Sequence, residues 1–103
     1  MNRPLPYEIE FAAAVEEHLQ SLSVRQRGIV FDGIEQHLTH QPALETRNRK
    51  PMRPNPLAAW ELRLGDLRVY YRFVDEPNKI VQIAAVGVKK REQIWVGGEK
   101  VDL

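Results

Sequence analysis

Cysteine is absent from the chain. Its absence excludes disulfides, thiolate metal sites and a cysteine nucleophile, and it is compatible with a reducing cytosol. Also missing is any apolar run near the roughly 20 residues that span a bilayer. The N-terminus, Met1-Asn-Arg-Pro-Leu-Pro, lacks the apolar core of a secretory signal. These absences predict a soluble, cytoplasmic protein with no membrane association. His18, His37 and His40 are not arranged for a metal, since no carboxylate or cysteine completes a set with them. No nucleophilic triad and no phosphate-binding glycine loop is visible, and no cofactor is expected. Net charge is nearly lacking as well, at +1.

What is present fits one domain over residues 1–103, with 43% hydrophobic content and room for one modest core. The charge is unevenly spread. Residues 1–40 hold three basic and six acidic residues, a net of −3, and residues 41–103 hold twelve basic and eight acidic, a net of +4. The C-terminal part therefore suits an acidic partner, with a solvated mixed surface as the alternative.

Tyr7-Glu-Ile-Glu-Phe11 alternates and predicts a first strand. Phe11, Val15, Leu19 and Leu22 recur at helical spacing and predict a helix from Ala12 to about Leu22. Ser23 is a candidate N-cap for a second helix. On it Ile29, Val30, Ile34 and Leu38 make an apolar stripe, with Phe31 at its edge. Residues 41–58 contain four prolines together with Arg47, Arg49, Lys50 and Arg53. They predict an extended basic loop suited to sequence-independent contact with a nucleic-acid backbone. Further strands are expected at about Ala59–Leu64, about Leu67–Asp75 and about Lys79–Val88, with a turn at Glu76-Pro77-Asn78. Lys89 to Trp95 reads as a short helix or turn, and Gly97-Gly98 as a loop before a polar tail. The order β-α-α-β-β-β predicts an α+β fold. Its antiparallel sheet packs one face on a helical hairpin and leaves the other polar and open.

The hairpin is the most informative stretch. Trp60-Glu-Leu-Arg-Leu-Gly-Asp-Leu-Arg-Val-Tyr-Tyr-Arg-Phe73 reads as two strands joined by Gly65-Asp66. Glycine first in a two-residue turn suits type II′, whose twist matches the strands. The implied register sets Leu64 against Leu67, Arg63 against Arg68, Leu62 against Val69, Glu61 against Tyr70 and Trp60 against Tyr71. Trp60, Leu62, Leu64, Leu67, Val69, Tyr71 and Phe73 then share the core face, and Glu61, Arg63, Arg68, Tyr70 and Arg72 share the other. Two arginines directly opposed repel, and a bound anion relieves that cost. The alternative is a structural pairing of Arg68 with Glu61 or Asp66.

This order resembles the RelE/ParE superfamily of type II toxin–antitoxin toxins. The motifs that carry the resemblance are the hairpin, Ala85-Val-Gly-Val-Lys-Lys-Arg-Glu-Gln-Ile-Trp95, Arg49-Lys-Pro-Met52 and Asn55-Pro-Leu-Ala-Ala-Trp60. In the RelE branch the toxin enters the ribosomal A site and cleaves mRNA without a metal, the 2′-hydroxyl attacking the adjacent phosphate. By that resemblance Arg68 occupies the family's most characteristic arginine and Arg63 a basic position on the preceding strand. Lys89 or Lys90, with Arg91, lies in the basic segment after the last strand. The resemblance implies Arg68 and Arg63 as the phosphate-holding part of the catalytic set, and the residues of this chain offer Glu61 as base and Lys90 as acid to complete it. Lys50, Arg53, Lys89, Arg91, Tyr70 and Trp95 are the candidate RNA or phosphate contacts, with packing at the end of the sheet the favoured alternative for Trp95. Three departures stand out. Trp95 replaces a late tyrosine or histidine, and indole does not exchange a proton at neutral pH. Glu61 stands where some relatives carry lysine, and Lys50 near where others carry a glutamate base. The ParE branch, which poisons DNA gyrase without a nuclease site, is the alternative, and an inactive binding relative is a third. The implied partners are a cognate antitoxin, with the ribosome and mRNA or else DNA gyrase. The antitoxin would dock on the outer surface of the helix pair or the free sheet edges.

Overall fold

Alternating apolar residues and two-residue turns generate most of this molecule. The computed structural model describes residues 6–75 and 79–102. In chain order the elements are β1 (Glu8–Phe11), α1 (Val15–Gln20), α2 (Val24–Leu38), β2 (Arg49–Pro51), β3 (Trp60–Leu64), β4 (Leu67–Asp75), β5 (Ile80–Lys90), β6 (Gln93–Val96) and β7 (Glu99–Val101). The sheet runs β2-β3-β4-β5-β6-β7, and β1 pairs in parallel with the start of β5. The chain thus adopts the expected α+β architecture, with three more strands than the sequence suggested. The turn expected at Glu76-Pro77-Asn78 lies outside the described residues.

The unanticipated strands each have a local cause. β2 is a three-residue pairing inside the proline-rich segment, and Pro51 sits on the edge strand, where its missing N–H does no harm. β5 does not stop at Val88 but continues to Lys90 and turns back through Arg91 and Glu92 into β6. Both turn residues have positive φ, 51° and 67°, as a mirror-type hairpin turn needs. Neither is glycine or asparagine, so the sequence carries no turn signature there. Gly97-Gly98, expected to be only a loop, makes a second such turn, with φ 60° and 83°, and starts β7.

α1 is shorter than expected, because only Val15–Gln20 is helical. α2 opens with a full capping box: Ser23 Oγ accepts from the Gln26 N–H, and the Ser23 N–H donates to Gln26 Oε1. Val30, Ile34 and Leu38 are buried as predicted, but Ile29 and Phe31 are 40% and 46% exposed. Gly33 permits close docking, since a Cβ there would come 2.4 Å from Leu64 Cδ1. The core joins Val15, Leu22, Val30, Ile34 and Leu38 of the helical layer to Leu62, Leu67, Val69, Tyr71, Val81, Ile83 and Val86 of the sheet. Tyr71 Oη donates to the Pro42 carbonyl at 2.7 Å, which pins the start of the long loop to the sheet.

β1 and β6 pair with different halves of β5, and α1 covers the gap between them. There the Val86 N–H donates to His18 Nδ1 at 3.4 Å. Desolvation lowers the His18 pKa from its usual 6.5 against a smaller opposing pull from Glu17. His37 is lowered too, first by desolvation and then by the Arg49 charge. Both groups bind protons more readily in the unfolded chain, so their contribution to stability is present above pH 6.5 and is lost as pH falls below it through their lower folded-state pKa values. The melting temperature should therefore drop on acidification from about pH 7.5 to about pH 5.5. His18→Asn, whose Oδ1 can accept without titrating, should flatten that slope. An unchanged slope in this variant would remove His18 from the account.

Candidate functional site

The β3–β4 hairpin has the predicted register, with Arg63 opposite Arg68 and Glu61 opposite Tyr70. Gly65 has φ +62° and Asp66 is not in the left-handed region, as a type II′ turn requires. β2 adds Lys50 beside Glu61 on the same face. The segment between β2 and β3 then folds over that face. Asn55 ties it: its amide nitrogen donates to the Arg53 and Ala58 carbonyls, and its Oδ1 accepts from the Leu57 and Ala58 N–H groups. Met52, Leu57 and Ala58 pack with Tyr70, Ala85, Ile94 and Val96 into a second small core. The face expected to be open is therefore partly covered.

What remains open is a pocket of about 510 Å³. Five cations line it, Lys50, Arg53, Arg63, Arg68 and Lys89, against two carboxylates, Glu61 and Glu92. Arg68 is 9% exposed. Its Nη1 donates to the Gly65 carbonyl and, at 2.9 Å, to the Leu67 carbonyl. No carboxylate among the described residues pairs with it. The cross-strand pairing with Glu61 or Asp66 does not form, because Glu61 is bound instead to Arg63, Nε to Oε1 at 2.6 Å. Lys50 and Lys89 make longer surface pairs with Glu45 and Glu92, at 3.5 and 3.6 Å. A cation with so little water and no counter-ion is costly to hold, and an anion in the pocket would offset that cost.

Six of the ten residues singled out from the sequence thus meet in the pocket: Lys50, Arg53, Glu61, Arg63, Arg68 and Lys89. The other four do not line it. Trp95 pairs with Val88, which pairs with Leu67, so Trp95 belongs to the helix-bearing face and not to the face of Arg68. Lys90 alternates away from Lys89 in the same ladder, and Arg91 sits exposed in the turn. Tyr70 is fully buried beneath the site rather than in its wall. Burial, and then the Glu61 charge, raise its pKa, so the phenol stays protonated. Arg49, grouped with the basic loop by sequence, points the other way. Its Nε donates to Leu44 and its Nη1 to His37, at 2.9 and 2.6 Å. Sequence reasoning missed Asn55, Glu92 and Ile94 as parts of the pocket. The Asn-Pro pair at 55–56 was a readable signal for a tied turn.

Gly87 sits in the ladder between Arg68 and Val96, beside the site. A Cβ there would meet the Trp95 carbonyl oxygen at 2.5 Å, so only glycine lets β6 close on β5 at this point. Among the described residues no three His, Cys, Asp or Glu side chains gather to hold a metal ion, and no helix is long and apolar enough to cross a membrane.

Solved structures share this architecture. The chain is similar to the toxin–antitoxin complex RelBE2 from Mycobacterium tuberculosis, with 25% identity over 86% of this chain and 98% of that chain and a TM-score of 0.71. It is also similar to the archaeal RelE–RelB complex from Pyrococcus horikoshii, with 22% identity over 82% of this chain and 97% of that one and a TM-score of 0.63. The second likeness speaks for the fold alone. No protein-family profile and no curated protein matches the chain. The fold is that of the RelE-type toxins.

Proposed function

We propose that this RelE-fold chain is the toxin of a type II toxin–antitoxin pair and that its basic pocket holds an mRNA phosphate for cleavage on the ribosome. The observation that carries this reading is the buried, unpaired Arg68 at the centre of a five-cation pocket. In the proposed reaction the 2′-hydroxyl attacks the adjacent phosphorus, and the 5′-oxygen of the next nucleotide leaves with a proton. Negative charge grows on the non-bridging oxygens as this happens. Fixed donors aimed at developing charge are the largest single source of catalysis in such sites, and Arg68 and Arg63 supply them. Glu61 is the one carboxylate on the hairpin face of the pocket and takes the base role. Lys89, which lines the pocket where Lys90 does not, takes the acid role.

The partner in this reading is a small antitoxin, as in the two complexes of similar fold. Phe11 and Phe31, both exposed and 6.1 Å apart, flank an apolar groove on the outer surface of the helix pair that such a partner could cover.

Primer extension on a reporter mRNA in a translating extract tests the activity. The expected result is cuts that require ribosomes and disappear when translation initiation is blocked. A well-folded protein that leaves the message intact would refute the nuclease reading, and a supercoiling assay with DNA gyrase would then decide for the other branch.

A further inference from the structure

Among the described residues, Tyr70 Oη is the one buried side-chain polar atom that makes no hydrogen bond. The Glu61 carboxylate already lies near enough to raise the Tyr70 pKa, but the two do not align into a hydrogen bond. A buried hydroxyl left unpaired costs stability and calls for a reason. Directly across the ladder lies Glu61. The Glu61 side chain is 13% exposed, and its carboxylate is turned along its own strand to Arg63, whose side chain is 50% exposed. Glu61 therefore stands between two donors, one a wall of the pocket and one beneath it. An incoming phosphate would claim the first, because Arg63 lines the pocket. Glu61 would then be a poorly hydrated carboxylate facing an arriving anion, which is strongly unfavourable unless another donor receives it.

We propose that Glu61 is a two-position latch: it is paired with Arg63 while the pocket is empty and hydrogen-bonded to Tyr70 Oη when a phosphate group takes Arg63. The inference rests on the reading of this pocket as a phosphate site. It gives the orphan hydroxyl a use, as the seat for a carboxylate displaced by the substrate. Tyr70 is then a positioning residue that never touches the phosphate. The phenol is suited to this because burial keeps it protonated and thus always able to donate. The exchange also frees Glu61 from a cation just when a base is needed.

Titration with inorganic phosphate at low ionic strength, followed by NMR, reads the exchange without any RNA cleavage. Tyr70→Phe should weaken phosphate binding about tenfold, the worth of one hydrogen bond to a charged group. In a Glu61→Gln background, which has no carboxylate to rehouse, the same change should cost less than about twofold. The carboxyl carbon signal of Glu61 should move on adding phosphate to the wild type and stay in place in Tyr70→Phe. Without phosphate, Tyr70→Phe should melt no lower than the wild type, because it removes an unpaired group and keeps the ring. Equal losses in both backgrounds, or no loss in either, would overturn the latch and leave the phosphate site standing. Failure of both the wild type and Glu61→Gln to bind phosphate would overturn the site and the latch together.

Discussion

Arg68→Ala is expected to abolish growth arrest and to cut mRNA cleavage by roughly 10²–10³-fold or more, the range for losing one preorganised donor to a developing oxyanion. It should do so with a fall in melting temperature too small to explain that loss. The two halves of this expectation come from the same geometry. Arg68 is 9% exposed, has no carboxylate partner and donates only to carbonyls of its own turn. A buried charge without a counter-ion is a burden on the empty fold, which offsets part of what its two hydrogen bonds to carbonyls contribute, and its removal costs much more only where another charge is stranded. None is stranded here, because Glu61 already has Arg63. A residue kept for packing would show the opposite pattern, with lost stability and activity following it down. Arg68→Lys should fall between, because an ammonium keeps the charge but cannot offer the planar fork. Cleavage assays and thermal melts on the same samples check both halves. A fully active Arg68→Ala protein would sink the phosphate site.

The hairpin that carries Arg68 was legible in the sequence because every signal for it is local. Gly65 fixes the turn type, the turn fixes the register, and alternation fixes the faces. Ser23 was legible for the same reason, since a capping box lies within four residues. The far end of the sheet was not. Its turn uses Arg91 and Glu92 at positive φ, a conformation their side chains do not advertise. Without that turn the parity of β6 is undetermined, and a one-residue slip exchanges faces. Trp95 was for this reason carried into the site by analogy with a family position, while the ladder sets it on the opposite face. The burial of Tyr70 was equally hidden, because it depends on a proline-rich segment folding back across the sheet. Long-range contacts of that kind leave no periodicity to read.

The same limit separates two neighbouring cations, and their contrast yields the second large effect. Arg49→Ala should destabilise the protein by about 3 kcal/mol, since hydrogen bonds from a charged donor are worth about 1.5–3 kcal/mol each. Two are lost here, to the carbonyls of Leu44 and His37. His37 lies in the last turn of α2, where unsatisfied carbonyls and the helix dipole both favour a cation. With roughly 4–8 °C per kcal/mol in a domain of this size, the melting temperature should fall by about 12–24 °C. Lys50→Ala, one residue along and on the other face, removes only a 3.5 Å surface pair with Glu45 and should cost less than about 1 kcal/mol. Its effect should instead appear in cleavage, about tenfold if the lost phosphate contact is worth 1.4 kcal/mol. In sequence the two residues are adjacent members of one basic run. In the fold β2 sends one to the helix end and the other to the pocket, because Arg49 pairs with Leu62 and Lys50 with Glu61. Equal thermal losses in both variants would show that the register assigned to β2 is wrong.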